Sequence, residues 1–358
     1  MTDIYKLLSS LIGGLSVSGF ERQVHEDMKS VISPYFDECE TLPGGGLVFT
    51  RKCRRAGAPT VMLDTHLDEI GLMVTDVTEE GMLRVAALGG VDVRTLPASD
   101  VMIHGREGGF PGVVAATPPH LTKAGERDRL PDIKDLLIDT GYDRETMLRL
   151  APAGTPVSYM SRTRRLLDGR VVGRGLDDKA CAAIVLRAME YLDENAPDDR
   201  LEWNVAYSLA SGEEIGETGA APGARAVMPD AAIILDVGFG TAPDVGKGSG
   251  KLGGGAVVSL TAAADRPLTD AFIAFAKKKE YKASAVVEAG STGTDGDAVN
   301  TALCGVPSVV VSLPLLNMHT QSEIIDMKDI ETTGDLIGDF IAGGGLGGWY
   351  REAKEAAL

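Results

Sequence analysis

Glu213 and Glu214 stand side by side in Ser211-Gly212-Glu213-Glu214-Ile215-Gly216, directly after the apolar-rich run 205–210. Adjacent carboxylates at the end of a strand can point in different directions, so one can bind a cation while its neighbour handles a proton. Alone, such a pair reads as a solvated acidic turn. Comparable groups recur along the chain: His66 and Asp68 after the run 60–65, Asp177 at the head of a helical stretch, Asp236 after 231–235, and His319 beyond 306–313. Two imidazoles and three carboxylates suit a pair of borderline divalent ions, since zinc takes nitrogen and carboxylate oxygen. One carboxylate then bridges, and the other four donors divide as one His and one acid per ion. Glu213 is left over as a general base. Two ions ~3.5–4 Å apart can share a water, lower its pKa and stabilise the oxyanion that its attack creates. The spare Glu would take the proton and pass it to a leaving amine.

The elements that must position these groups read as α/β. Ile4, Leu7, Leu8, Leu11 and Ile12, then Val24, Met28 and Ile32, recur at helical spacing. Runs 44–50 and 59–65 read as strands, the second apolar enough to be central in a sheet buried on both faces. Ligands bind at the carboxyl edge of such sheets. His66 and Asp68, two apart, can face the same side of an extended chain, so that the carboxylate fixes the tautomer of a metal-binding imidazole; a lone His-x-Asp otherwise marks a surface turn. Asp177 reads locally as the N-cap of the helix that follows, and Cys181 as a small buried hydrophobe.

From 71 to 163 short β-prone pieces alternate with Gly, Pro and charged turns, apart from a helical pattern at 133–137. The texture predicts a β-rich domain inserted into an α/β domain formed by 1–70 and 164–358. His104 and His120 lie in the insert, with structural or surface roles expected. The run 201–210 is the next strand, and a closing helix is expected over 327–341. The Gly-rich run 246–255 is no phosphate loop, because Leu252 follows Lys251 where Ser or Thr is required. No Gly-x-Ser-x-Gly nucleophile elbow occurs.

Hydrophobic content of 44% and charged content of 24% place the chain among ordinary globular proteins and not among disordered ones. A formal net charge of −17 argues against nucleic-acid or anionic-membrane partners. The four cysteines form no CxxC pair, no signal-peptide pattern opens the sequence, and no apolar run approaches the roughly 20 residues of a spanning helix. A cytoplasmic protein is expected.

In this order the motifs resemble those of the tetrahedral metallo-aminopeptidase family, which includes deblocking and glutamyl aminopeptidases. Ser18-Gly19-Phe20-Glu21 looks like its N-terminal turn. Thr65-His66-Leu67-Asp68-Glu69-Ile70-Gly71 is similar to its His-Met-Asp-Glu-Ile-Gly motif, with Leu67 in the Met place. Pro118-Pro119-His120-Leu121 is similar to a motif of its inserted domain. Gly175-Leu176-Asp177-Asp178-Lys179 matches the segment of the bridging aspartate, with Lys179 where Arg is more usual. Glu213-Glu214-Ile215-Gly216, Leu235-Asp236-Val237 and Met318-His319-Thr320 match the remaining site segments, with Thr320-Gln321 in place of Ser-Pro.

The resemblance implies a mixed-sheet α/β/α sandwich with an inserted β-barrel-like domain that carries dimerisation and assembly. It implies one metal on His66 and Asp236, another on Glu214 and His319, and Asp177 bridging. Glu213 would be the base, Asp68 the residue orienting His66, and Thr294 and Asp295 a substrate-side loop. It further implies zinc or cobalt, peptide substrates, and a hollow dodecamer built from dimers. The expected function is a two-metal aminopeptidase acting on short peptides. The alternatives are another metal-dependent amide hydrolase, such as an N-deacylase, on the same site, and a non-catalytic metal-binding assembly protein.

Overall fold

The computed structural model describes residues 3–118, 120–121, 130–196, 200–243 and 250–356. Its centre is a mixed eight-stranded sheet, ordered Glu38–Thr41, Leu47–Arg51, Asn204–Ala210, Thr60–His66, Ala231–Phe239, Ser308–Leu315, Ala256–Thr261, Ala283–Glu288. The four middle strands, Asn204–Ala210 through Ser308–Leu315, run parallel. Parallel strands are buried on both faces, and the side chains alternate accordingly. Val61, Leu63, Ile233, Leu235, Val309 and Val311 face one apolar cluster. Met62, Ala232, Ile234 and Val310 face another, covered by the short helices Ala220–Val227 and Asp295–Thr301. Helices therefore cover both faces of the sheet, as expected.

The deeper layer is built around Leu176–Asn195, a helix with 16 of its residues buried. It packs against the sheet and alongside the helix Met327–Ala342, which also meets the sheet. A helix buried on nearly every side belongs in the interior of a large domain. A further helix, Gly345–Ala356, follows the expected closing one. Three glycines in its first four residues hide it from propensity. Packing supplies what propensity lacks: Leu346 and Trp349 are buried, and the Tyr350 ring meets Trp203 edge-on at 5.0 Å.

The segment Gly71–Tyr159 closes a barrel of six strands, all paired antiparallel. It has its own core, with Leu72, Val74, Leu83, Val85, Ile103, Ile138 and Val157 inside. The helical pattern at 133–137 is a 3₁₀ turn, Ile133–Asp135, followed by the strand Leu137–Asp139; pairing with two barrel strands overrides the local period. Of the Gly-rich run, 246–249 lie outside the described residues, Gly250 bridges to Gly240, and a turn follows at 252–254. Among the described residues no helix is long and apolar enough to cross a membrane.

Candidate metal centre

The parallel strands deliver their polar groups to one edge. His66 is the last residue of its strand, and Glu213 and Glu214 follow Asn204–Ala210 by a short turn. Asp236 lies inside Ala231–Phe239, which runs four residues further than the apolar run suggests. His66 and Asp236 sit at the even positions of their strands, on the side of Met62 and Ile234. His319 arrives from a turn after Ser308–Leu315, with its backbone in the left-handed region at φ 61°.

Asp177 is not a helix cap. Gly175 occupies the N-cap position, left-handed and with no side-chain cap, and any side chain there would collide with Glu69. The Asp177–Asp178 peptide bond is cis. The Asp177 carboxylate lies between the two imidazoles: Oδ1 is 3.1 Å from His66 Nε2 and Oδ2 is 3.3 Å from His319 Nε2. His66 Nε2 is also 3.8 Å from Asp236 Oδ1 and 3.9 Å from Glu213 Oε2, and His319 Nε2 is 3.3 Å from Glu214 Oε2. Two trios result, His66–Asp177–Asp236 and Asp177–Glu214–His319, each with donor atoms within 4.8 Å of one another.

The chemistry of these donors fits a cation. His66 Nδ1 faces the Asp68 carbonyl at 3.0 Å and His319 Nδ1 faces the Gly90 carbonyl at 3.2 Å. A carbonyl only accepts, so each Nδ1 carries a proton, and each Nε2 is left to face the carboxylates, either through a second proton or through a lone pair that a cation would take. The clustered carboxylates need positive charge beside them, from imidazolium protons or from a cation in their place. Glu214 Oε1 is buried with no hydrogen-bond partner among the described residues. Burial pushes the Glu214 and Asp236 carboxyls up, and it takes Glu213 up to about 8 against the pull of His66. Burial opposes charge on the imidazoles as well, but the surrounding carboxylates prevail and raise both, His319 to about 11. Asp177 moves the other way: hydrogen bonds to His319 and His66 outweigh its burial and hold it low.

Asp68 does more than the sequence suggests. Its carboxylate is 3.5 Å from His66 Nδ1, and the nearer contact of that ring is the Asp68 carbonyl. The carboxylate instead accepts the main-chain N–H of Glu213 at 3.0 Å and of Glu214 at 3.2 Å, and the Ser18 hydroxyl at 2.6 Å. Beneath it, Glu69 is buried against Arg174, Lys179 Nζ at 3.2 Å and Ser16 Oγ at 3.0 Å. Burial raises the Glu69 carboxyl, but the charges of Arg174 and Lys179 outweigh it and hold it low.

A cavity of about 430 Å³ opens over the two trios, walled by Phe239, Glu288, Thr292, Thr294 and Met318, within the size range of small-ligand sites. Thr294 caps the helix Asp295–Thr301 through a 3.1 Å bond from Gly296 N–H. Asp295 is buried behind the wall, where burial first and the neighbouring Asp64 charge second push its carboxyl well up. His104 is half-buried with Nε2 2.9 Å from Ser158 Oγ, and His120 is exposed.

Sequence reasoning missed Gly90, which brings a barrel residue to His319, and Glu323, which joins two site segments. The only signal for Glu323 is an acid heading an apolar strand, Glu323–Asp326, four residues after His319.

The M42 glutamyl aminopeptidase family model matches residues 45–336. The lysyl aminopeptidase of Pyrococcus furiosus is 31% identical over 335 residues, spanning 92% of this chain and 94% of the relative. A TET aminopeptidase from a marine-sediment Thaumarchaeota archaeon superposes with a TM-score of 0.89 at 26% identity, over 97% of this chain and 98% of that one. The TET1 peptidase of Pyrococcus horikoshii, described as able to assemble into a tetrahedron or a large octahedral shell, superposes with a TM-score of 0.82 at 26% identity, over 95% and 99%.

Proposed function

The chain belongs to the M42 glutamyl aminopeptidase family and is a peptide hydrolase; from that premise we propose that it removes N-terminal residues from short peptides with two divalent cations. His66, Asp177 and Asp236 would hold one, and Asp177, Glu214 and His319 the other. The observation that carries this reading is the double use of Asp177, whose two oxygens each face a different imidazole at 3.1 and 3.3 Å. Nitrogen and carboxylate donors suit zinc, and cobalt is the other candidate.

A pair of divalent cations would supply Lewis acidity to a water and to the scissile carbonyl. The chain's own residues supply positioning and proton transfer. Glu213 borders the cavity, with Oε2 3.9 Å from His66 Nε2 and its carboxyl pushed by burial up to about 8. A carboxyl poised near neutrality can accept a proton and return it. We assign Glu213 to take one from the attacking water and deliver it to the departing amine. Asp68, bonded to the main chain of Glu213 and Glu214, would keep this base and its neighbour in register with His66. Thr294 would border the bound substrate, and Asp295 would support that loop from behind.

We further propose a homo-oligomer, a dodecamer built from dimers, with residues 71–163 as the assembly domain. Large apolar side chains exposed on that segment, among them Val113, Leu148 and Met160, and the assembling relative named above support this. The free thiols of Cys39, Cys53, Cys181 and Cys304 fit a reducing, cytoplasmic setting.

Hydrolysis of free and N-acetylated aminoacyl-4-nitroanilides, after chelation and restoration of zinc or cobalt, tests the reading. Metal-dependent cleavage confined to free amines is expected. Cleavage of the blocked substrates would move the activity to an N-deacylase.

A further inference from the structure

Glu323 is 1% exposed and heads the strand Glu323–Asp326. This strand lies outside the main sheet, in a small antiparallel sheet with Arg164–Arg165 and Arg170–Gly173. The Glu323 carboxylate reaches two of the segments that carry the site. Oε2 accepts the N–H of Leu176 at 2.7 Å and of Asp177 at 3.3 Å, and Oε1 accepts the N–H of His319 at 3.0 Å. The first two partners are 147 and 146 residues away in sequence and the third only four.

All three donors are main-chain N–H groups that cannot reverse roles, so only a side chain with acceptors on both branches satisfies them. The segments they belong to are irregular. Asn317 and His319 both adopt left-handed backbone, at φ 58° and 61°, and non-glycine residues stay there only where their surroundings over-determine them. At the head of Leu176–Asn195 the backbone leaves helical geometry at Asp177 and Asp178, and Gly175 offers no side-chain cap, so the N–H groups of Leu176 and Asp177 must find acceptors outside the helix. Glu323 supplies one acceptor to each problem and ties the two solutions together.

We propose that Glu323 is a positioning residue for the Asp177–Glu214–His319 trio. It sets the distance between the Asp177 carboxylate and the His319 imidazole through the main chain of both, without touching a cation itself. On the opposite side of the site Asp68 does the same for the main chain of Glu213 and Glu214. The inference rests on the two-cation reading above and adds to it a residue that holds one of the two sites in shape.

The test is a titration of Zn²⁺ alone, and of Co²⁺ alone, into the chelated full-length protein against a competing chromophoric chelator. Wild type is compared with Glu323→Gln and Asp329→Asn. Asp329 is the matched control: it is 1% exposed and accepts two main-chain N–H groups, Gly253 and Gly255, at 2.7 Å each, away from the site. Wild type should bind two ions. Glu323→Gln turns a donor toward a donor and should weaken one ion by about 10–100-fold, shift the Co²⁺ absorption band, and regain turnover when metal is raised. Asp329→Asn should keep both affinities.

Unchanged affinities in Glu323→Gln, or an equal loss in Asp329→Asn, overturn the proposal while the two-cation reading stands. A wild type that binds no divalent ion overturns that reading and this proposal with it. Hydrogen exchange on wild type covers the case in which Glu323→Gln does not fold. The His319 amide should exchange at least tenfold more slowly than an unstructured amide, and free exchange there overturns the assignment.

Discussion

The Asp68 carboxylate accepts the main-chain N–H of Glu213 at 3.0 Å, while the Asp68 carbonyl lies 3.0 Å from His66 Nδ1. One residue thereby connects the imidazole at the end of one strand to the carboxylate loop at the end of its neighbour. Ser18, from the N-terminal turn, completes the contact with its hydroxyl at 2.6 Å.

Asp68→Asn should therefore disturb both elements at once. Asn has one acceptor branch where Asp has two, and it turns an N–H₂ toward N–H donors. A loss of about 10–100-fold in activity or metal affinity is expected, measured as kcat/KM and by chelator competition. Wild-type values for both would remove Asp68 from the site.

Glu213→Gln keeps the shape of the side chain and removes the proposed proton carrier. Turnover should fall by about 10²–10⁴-fold while metal content, measured by elemental analysis of dialysed protein, stays at the wild-type level. Lost metal with lost turnover would make Glu213 a ligand instead.

Gly90→Ala tests whether the barrel shapes the site. An added Cβ would lie 2.7 Å from His319 Nδ1, the atom that faces the Gly90 carbonyl. Gly90 is exposed, so stability should change by no more than about 0.5 kcal/mol. Activity should fall by about 10–100-fold, since displacing a reacting group by an ångström costs that much. Unaltered kinetics with an unaltered melting temperature would separate the barrel from the chemistry.

His104 predicts a pH dependence of stability. Burial, then the Arg174 charge, lowers its imidazole to about 4, against about 6.5 in an unfolded chain. The folded protein resists that proton, so the contribution is complete above about pH 6.5 and is lost as pH falls toward 4. Solvent reaches this half-buried ring, which leaves about 1–2 kcal/mol. His104→Gln should flatten the acid side of a plot of urea midpoint against pH by that amount. Curves parallel to wild type between pH 7 and 4.5 would contradict it.

Much of this protein is legible along the chain. Alternation and helical spacing report the face that each residue shows, a property of neighbours, and they mark Thr60–His66, Ser308–Leu315 and Leu176–Asn195 without knowledge of partners. The residue types at strand ends, two His among several acids, point to metal-assisted hydrolysis for the same local reason: a donor's chemistry belongs to its side chain. The closed six-stranded barrel also follows the β-rich texture of its segment. The helix Gly345–Ala356 is illegible because its glycine-rich propensity is overruled by the packing of its own Tyr350 on Trp203, a distant position.

Which atoms meet was decided only by tertiary structure. Asp177 reads as a helix cap because its neighbours in sequence form a helix, yet its carboxylate turns to His66, 111 residues away, and to His319. Asp68 and Glu323 are ordinary acids in one dimension. They become the clamps of the site because the strand order brings Thr60–His66 beside Asn204–Ala210, and the small edge sheet brings Glu323 to the head of the buried helix. Burial then changes their chemistry: a carboxylate cut off from water must be satisfied by whichever donors the fold places around it.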